Sequence, residues 1–143
     1  MVERSEAVEV AVRALRHRDR SAAELDERLR ARGVEEGDRR DVLGTLERAG
    51  YLDDERFALA RAQSLAQRGA GDARVRDDLE RRGVAAETIA AALAALEPER
   101  ERAERIAVAR GRTPRTARYL AAHGFDEDAV AAAVAPDGAD AVE

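Results

Sequence analysis

Apolar side chains recur along the chain every three or four residues, which is the period of an α-helix. Early examples are Val8, Val12 and Leu15, followed by Leu25 and Leu29. No segment alternates apolar and polar positions for long enough to indicate a β-strand. The pattern therefore predicts an all-α protein with nine helices, at residues 5–17, 22–32, 39–49, 54–68, 72–82, 86–96, 99–110, 114–123 and 127–135.

A second pattern marks the helix ends. Leucine, three further residues, glycine and an apolar residue follow one another at Leu29-Gly33-Val34, Leu46-Gly50-Tyr51, Leu79-Gly83-Val84 and Leu120-Gly124-Phe125. A glycine in the left-handed conformation ends a helix, and the next apolar side chain folds back onto the leucine. Helix starts are predicted at the capping box Ser21-Ala22-Ala23-Glu24, at Thr113-Pro114 and at Asp126-Glu127-Asp128.

These helices group into three similar units of three helices. We place the units at residues 5–52, 53–97 and 98–135, followed by a disordered tail at 136–143. The first unit has three additional residues near 35–37, so Asp38 is expected to cap its third helix. Because 33 of the hydrophobic residues are alanine, each unit is expected to have a shallow core and to rest on its neighbours. The predicted fold is an elongated, curved array of three tandem three-helix repeats.

Composition narrows the function classes further. The 143 residues include no cysteine, which excludes disulfides, thiolate catalysis and cysteine-based zinc sites. The longest apolar run has eight residues, from Ile89 to Leu96, whereas a membrane span needs about 20. Since the N-terminus also lacks the apolar core of a signal peptide, we expect a cytoplasmic protein that does not enter the membrane.

A search for catalytic chemistry finds no nucleophile beside a base and no ligand set, so we expect no enzyme, no cofactor and no metal. His17 and His123 fall at predicted helix ends, where an imidazole commonly faces the last carbonyls. The acidic clusters Asp53-Asp54-Glu55, Asp77-Asp78 and Asp126-Glu127-Asp128 are expected to serve helix starts in most cases rather than to hold an ion. Gly69-Ala70-Gly71 lacks the lysine of a phosphate-binding loop and is interpreted as a turn.

The basic residues are unevenly distributed. All 25 are arginines, set against 30 acids for a net charge of -5. Residues 100–125 nevertheless contain seven arginines and two acids, and residues 13–32 contain seven arginines and four acids. Such stretches suit phosphates or an acidic protein face, or they form solvated helix surfaces with internal ion pairs. We favour binding for the third unit and a solvated surface for the first, with candidate contacts at Arg110, Arg112, Arg115 and Arg118, then Arg74, Arg81 and Arg82.

Several motifs resemble the RecX regulatory family over about residues 5–135. They are Arg20-Ser21, Glu24-Leu25, Leu29, Gly33, Gly50-Tyr51-Leu52-Asp53-Asp54, Phe57-Ala58, Gly71, Arg74-Val75, Leu79, Arg82-Gly83-Val84, Tyr119-Leu120 and Gly124-Phe125. The resemblance implies three tandem three-helix repeats and a role in restraining RecA, the recombinase that polymerises on single-stranded DNA. We expect the protein to be a monomer. It further implies that filament growth, ATP hydrolysis and strand exchange are inhibited during DNA repair and the SOS response, and that direct DNA binding accompanies this in some members.

The family motif itself is interpreted as structural. Gly50 ends a helix, Tyr51 and Leu52 are expected to pack the bend, Asp53 or Asp54 caps the next helix, and Phe57 anchors it. The third unit departs from the family at Ala121-Ala122-His123, where basic residues are common. Two hypotheses result: a regulator that contacts a RecA filament through arginines, and a helical module that binds DNA directly.

Overall fold

The computed structural model describes residues 2–136, which form nine α-helices. They are α1 (Arg4–His17), α2 (Ala22–Ala31), α3 (Glu36–Arg48), α4 (Asp54–Gln67), α5 (Asp72–Arg81), α6 (Ala86–Ala94), α7 (Glu99–Arg110), α8 (Pro114–Ala122) and α9 (Glu127–Val134). The described residues contain no β-strand, so the predicted all-α class is confirmed. The expected disordered tail lies outside the described residues, apart from Pro136.

The helices pack in successive triplets, each around its own apolar cluster. The first unit, α1 to α3, buries Leu25, Leu29 and Val42 among others. The second unit, α4 to α6, has its own cluster with Phe57, Val75 and Leu79, and the third unit, α7 to α9, has one with Ala103, Leu120 and Phe125. The array of three-helix repeats is thus confirmed, while the exact unit boundaries at 52/53 and 97/98 stay predictions.

The predicted glycine stops end helices in the expected way. Gly33, Gly50, Gly83 and Gly124 have φ values between 77° and 93°. In each case the next residue donates its backbone N–H to the leucine carbonyl at 2.9 to 3.1 Å, which is the Schellman hydrogen bond. Gly69 has φ 97° and ends α4 through the same bond, from the Ala70 N–H to the Leu65 carbonyl at 3.0 Å.

One residue of the glycine motifs does not pack as expected. Tyr51 is 60% exposed, whereas Leu52 is 3% exposed and joins the first core. Both backbone N–H groups reach the Leu46 carbonyl, and the chain then directs Leu52 inward. The expectation that Tyr51 packs the bend is therefore wrong, and its ring is available on the surface.

The predicted caps at Ser21, Asp53, Thr113 and Asp126 are confirmed, because each side chain accepts a hydrogen bond from the backbone N–H three residues later. Asp38 does not cap α3, since Glu35 occupies the N-cap position and Asp38 lies in the first turn. The three additional residues of the first unit therefore lengthen α3 instead of the loop before it. Asp26 and the Val34 carbonyl hold Arg39 in that additional turn.

Helix α1 faces its core with alanines. Ala7, Ala11 and Ala14 are buried, and their small side chains let α1 approach the other two helices closely. Val8 and Leu15 are only partly buried. The apolar positions predicted for this helix therefore border the core and leave part of their surface toward solvent.

Candidate interaction surface

The first and second units meet where α2 begins and α5 ends. The Ser21 Oγ donates a hydrogen bond to the Arg82 carbonyl at 2.6 Å. A Cβ atom added to Gly83 would lie 2.3 Å from the Cβ of Ala23, which is closer than two nonbonded carbon atoms can approach. Gly83 is therefore required both by its positive φ and by the contact between the units.

An ion-pair network strengthens this junction. Arg82 binds Glu24 of the first unit at 2.8 Å and Asp78 of its own helix at 2.9 Å. Arg61 of α4 donates two hydrogen bonds to Asp78, each at 3.0 Å. The bonds from Arg61, followed by those from Arg82, hold the pKa of Asp78 below its ordinary value. This network joins three helices of two units.

The second and third units meet in the same way, where α5 begins and α8 ends. The Gly71 N–H donates to the His123 carbonyl at 2.8 Å, and the Ala73 N–H donates to the Gly124 carbonyl at 3.1 Å. A Cβ atom on Gly71 would lie 2.4 Å from the backbone of Gly124 and Phe125. The backbones of the two units are therefore in direct contact.

A carboxylate from the next unit completes each junction. The Ala22 N–H donates to Asp54 at 2.8 Å, and the Asp72 N–H donates to Glu99 at 2.7 Å. Ala22 and Asp72 are the first residues of α2 and α5, and Asp54 and Glu99 are the first residues of α4 and α7. Helices α8, α5 and α2 follow one another head to tail, with the positive N-termini of α5 and α2 against the C-termini of α8 and α5.

Arg102 is a structural residue that the sequence analysis did not single out. It is 6% exposed and donates to the carbonyls of Glu97 and Ala70 at 2.8 and 2.9 Å, and to Asp72. Its guanidinium also lies 5.8 Å from the centre of the Phe125 ring. The sequence signal is positional, because Arg102 follows Glu99 by three residues just as buried Phe57 follows Asp54.

Burial affects Glu99 as well. Loss of hydration raises the pKa of the Glu99 carboxyl, and the hydrogen bond from the Asp72 N–H opposes this effect. Nearby Asp72 and Asp126 also raise its pKa, while Arg102 lowers it. Glu99 therefore loses part of its hydration at the junction, and the hydrogen bond from the Asp72 N–H compensates for part of that loss.

The arginines predicted for the third unit divide into two groups. Arg112 bonds to Glu104 at 3.0 Å and to the Ala133 carbonyl at 2.7 Å, so it ties α7 to α9 and lowers the pKa of Glu104. Arg110 lies over the Tyr119 ring, 3.8 Å from its centre. Arg115 and Arg118 are exposed on α8 and form no ion pair with any described residue.

The arginines predicted for the second unit also differ in their surroundings. Arg82 is half-buried in the first junction. Arg81 is exposed and lies 3.7 Å from Asp77. Arg74 is exposed, and its backbone packs against Gly124 at the second junction. Arg74 and Arg81 can therefore meet a partner, whereas Arg82 is engaged within the chain.

A cationic cleft lies between α1 and α2 of the first unit, in the stretch interpreted as a solvated helix surface. We call it the arginine cleft; it has a volume of about 400 Å³ and is lined by Arg13, Arg16, His17, Arg28 and Arg32, with Ala14 at its floor. None of these four arginines forms an ion pair with a residue in the described range. The sequence showed the excess of arginines, but the cleft arises only when α1 and α2 pack together.

Arg20 lies beside this cleft and adds to its positive charge. It is 8% exposed and donates from Nε to the Ala14 carbonyl at 3.2 Å. Burial lowers the pKa of Arg20, and the charges of Arg18 and Arg28 lower it further. The positive charges of Arg18 and Arg28 therefore repel that of Arg20.

The remaining candidate groups have structural surroundings. The His123 ring nitrogen Nδ1 lies 2.7 Å from the Tyr119 carbonyl, and the ring stacks on Tyr119, as expected for a helix-end histidine. Within residues 2–136 no group of three or more acidic or histidine side chains is arranged to hold a metal ion. In that same range no helix has the length and apolar character needed to cross a membrane.

Fold and surface together define a tandem helical-repeat protein whose joined units expose, at several places, arginines that have no ion pair within the described part of the chain. Residues 53–93 match the family model described as RecX, second three-helix domain. The regulatory protein RecX of Chromohalobacter salexigens is 37% identical over 134 residues, covering 87% of this chain and 88% of that protein. The RecX of Halorhodospira halophila is 35% identical over 142 residues, covering 92% and 88%. The chain therefore belongs to the RecX family of regulatory proteins, which confirms the resemblance seen in its motifs.

Solved structures agree on the fold. The crystal structure of RecX from Lactobacillus salivarius superposes with a TM-score of 0.80 at 17% identity, covering 92% of this chain and 94% of that one. A second crystal structure of a regulatory protein RecX gives a TM-score of 0.75 at 19% identity, covering 88% and 70%. The three-unit arrangement is therefore kept although most side chains differ.

Proposed function

We propose that this protein is a non-enzymatic regulator that binds RecA on single-stranded DNA and inhibits filament growth, ATP hydrolysis and strand exchange. Membership of the RecX family is the observation that carries the proposal. The architecture supports it physically, because a filament presents equivalent sites at regular intervals. Three joined units can engage several such sites at once, and linked weak contacts give a much stronger overall affinity.

Exposed arginines of the third unit are the proposed contacts with the filament. Arg115 and Arg118 on α8 form no ion pair with any residue from 2 to 136, and Arg110 presents its charge above the Tyr119 ring. Arg74 and Arg81 provide further positive charge on α5. Arg82 and Arg112 contribute indirectly, because they hold helices and units in the positions that present these side chains.

The test is a double charge reversal, Arg115→Glu with Arg118→Glu, assayed by ATP hydrolysis of RecA on single-stranded DNA. We expect inhibition to require at least about tenfold more protein, since both proposed contacts become repulsive. The matched control is Arg40→Glu with Arg48→Glu, which makes the same change of charge on exposed positions of α3. Thermal unfolding of both variants checks that each still folds. Equal potency of the two double variants would remove these residues from the proposed interface.

Direct DNA binding is the second candidate function, and the arginine cleft of the first unit favours it. A protein of net charge -5 can still bind DNA through a local basic face. The two candidates separate in one titration in which RecA hydrolysis and binding to bare DNA are recorded in the same buffer. Inhibition far below the concentration that coats the DNA supports filament control. Salt-sensitive DNA binding without any effect on hydrolysis supports the second candidate.

A further inference from the structure

We propose that the arginine cleft is a binding site for the phosphate backbone of single-stranded nucleic acid, with Tyr51 stacking on a base beside it. This inference rests on the second candidate function, direct DNA binding, and does not depend on contact with RecA. It assigns the site to α1, α2 and the turn after α3, in the first unit, and it names the single strand as the ligand.

The charge of the cleft is the first argument. Elsewhere in the chain most arginines are held by a carboxylate, a carbonyl or a ring, as at Arg61, Arg102 and Arg112. The four arginines of the cleft lie together with no ion pair to any described residue. Burial, followed by the charges of Arg18 and Arg28, lowers the pKa of the neighbouring Arg20. Bringing like charges together opposes folding, and a bound anion would remove that repulsion.

The spacing of the arginines is the second argument. Arg13 and Arg16 are three residues apart on α1, and Arg28 of α2 and Arg32 at the C-cap of α2 are four residues apart. Along a helix these separations correspond to about 4.5 to 6 Å. The cleft therefore presents two rows of guanidinium groups, each able to hold a phosphate in a bidentate way. Successive phosphates of one strand can bind along such rows.

An exposed aromatic ring next to the cleft is the third argument. Arg16 lines both the cleft and an adjoining groove of about 340 Å³, which is also lined by Val12, Leu15, the exposed Tyr51 and the ion pair of Asp19 with Arg56. A positively charged groove beside an aromatic side chain is the usual arrangement for binding a single strand, because the unpaired bases can stack on the ring. In a duplex the bases are already stacked on one another, so Tyr51 has no base face to meet.

An acidic protein segment is the competing ligand, and it fits less well. Its carboxylates could meet the guanidinium groups, but they would leave the floor at Val10 and Ala14 and the Tyr51 ring uncovered. A nucleotide brings an anion and a flat apolar surface together in one unit. The combination of four arginines, an apolar floor and an aromatic neighbour therefore favours nucleic acid.

The experiment measures fluorescence anisotropy of a labelled oligothymidylate of about 15 nucleotides with the full chain and without RecA. Arg28→Glu with Arg32→Glu is expected to weaken binding by about tenfold or more and to reduce the salt dependence of the affinity. The control, Arg40→Glu with Arg48→Glu, is expected to bind like the unchanged protein. Arg13→Gln with Arg16→Gln tests the other row in case the first variant unfolds.

Two further comparisons test the ligand and the role of Tyr51. Tyr51→Ala is expected to weaken binding to the oligothymidylate and to leave binding to an abasic strand of the same length unchanged. Duplex DNA is expected to bind more weakly than the single strand. Equal affinity for duplex, or an equal effect of Tyr51→Ala on the abasic strand, would overturn the single-strand assignment.

The remaining outcomes separate this inference from the proposed functions. DNA binding that is unaffected by all the cleft substitutions overturns the site but leaves direct DNA binding standing. No DNA binding by the unchanged protein overturns both. Displacement of the oligothymidylate by polyglutamate at equal charge concentration assigns the cleft to an acidic protein segment instead. Inhibition of RecA hydrolysis, measured separately, bears only on the leading function.

Discussion

Asp78 shows how a single side chain in this array joins two units. Its carboxylate is 10% exposed and accepts hydrogen bonds from Arg61 and Arg82, and Arg82 in turn reaches Glu24 of the first unit. Such a carboxylate stabilises the folded chain only while it is ionised. Its lowered pKa means that the stabilisation is present above the ordinary value of 3.8 and is lost as the pH falls through the lower folded value.

Replacing Asp78 by Asn should therefore lower stability at neutral pH more than in acid. We expect a loss of about 1 to 3 kcal/mol at pH 7, since three charge-assisted hydrogen bonds, two from Arg61 and one from Arg82, are weakened or lost. The difference from the unchanged protein should shrink as the pH falls below about 4. Urea unfolding at pH 7 and pH 3 measures both effects. Asp77→Asn is the control, because Asp77 is exposed and forms a single ion pair among the described residues, with Arg81 at 3.7 Å. An equal loss in the control would contradict this account.

At the scale of the elements, helix ends have two functions in this protein. The Ser21 Oγ accepts the Glu24 N–H within the capping box and donates to the Arg82 carbonyl of the next unit. Thr113 caps α8 through the same kind of bond to the Thr116 N–H, and it has no role at a junction. Comparing Ser21 with Thr113 therefore separates the stability that a helix cap contributes from the stability that the contact with the next unit contributes.

Ser21→Ala should cost more stability than Thr113→Ala. Loss of a cap alone costs about 1 kcal/mol, which we expect for Thr113→Ala. At Ser21 the partly buried Arg82 carbonyl also loses its donor, so the total should reach about 2 to 3 kcal/mol. Denaturant unfolding of both variants under the same conditions measures the difference. Equal losses would show that the Ser21 bond to the next unit contributes nothing.

At the scale of the whole molecule, stability depends on close backbone contact between units with small separate cores. Each core contains three or four buried alanines beside its larger side chains, and such small cores contribute little alone. The polar and backbone contacts of the two junctions then fix the order of the units. Helices α8, α5 and α2 lie head to tail through these junctions, which sets the relative positions of the exposed arginines.

Gly71→Ala should loosen the second junction although Gly71 has an ordinary φ of -82°. Its new Cβ would overlap the Gly124 carbonyl carbon at 2.4 Å, so the third unit must move away. We expect a melting temperature lower by several degrees. We also expect faster hydrogen exchange at the backbone N–H groups of residues 71 and 73, which donate to the third unit.

The control for this change is Gly37→Ala in α3, where a Cβ meets nothing within 4 Å. It should be neutral or stabilising by up to about 1 kcal/mol, because alanine favours a helix over glycine. Unchanged exchange at the Ala73 N–H in Gly71→Ala would mean that the third unit is not held by this contact.

The elements of the fold could be predicted from the sequence because their determinants are local. Schellman glycines such as Gly50, caps such as Asp53 and the helical period all act within about one or two helix turns. The predicted cap at Asp38 is wrong because an added helix turn and a longer loop have similar local sequence signals. The hydrogen bond from Arg39 to Asp26, 13 positions away, distinguishes them, and it is a tertiary contact. The arrangement of the helices in three successive units could be predicted because these local signals are repeated along the chain.

The amino-acid sequence by itself determined the helices, their ends and the repeat, and its motifs identified the family. Only the tertiary structure decided which charges are engaged and which are exposed, because those contacts join residues such as Ala22 and Asp54, 32 positions apart. It placed Tyr51 on the surface and bound Arg82 and Arg112 within the chain. It also assembled the arginine cleft from two helices, since a charge count along the chain cannot show which side chains face one another.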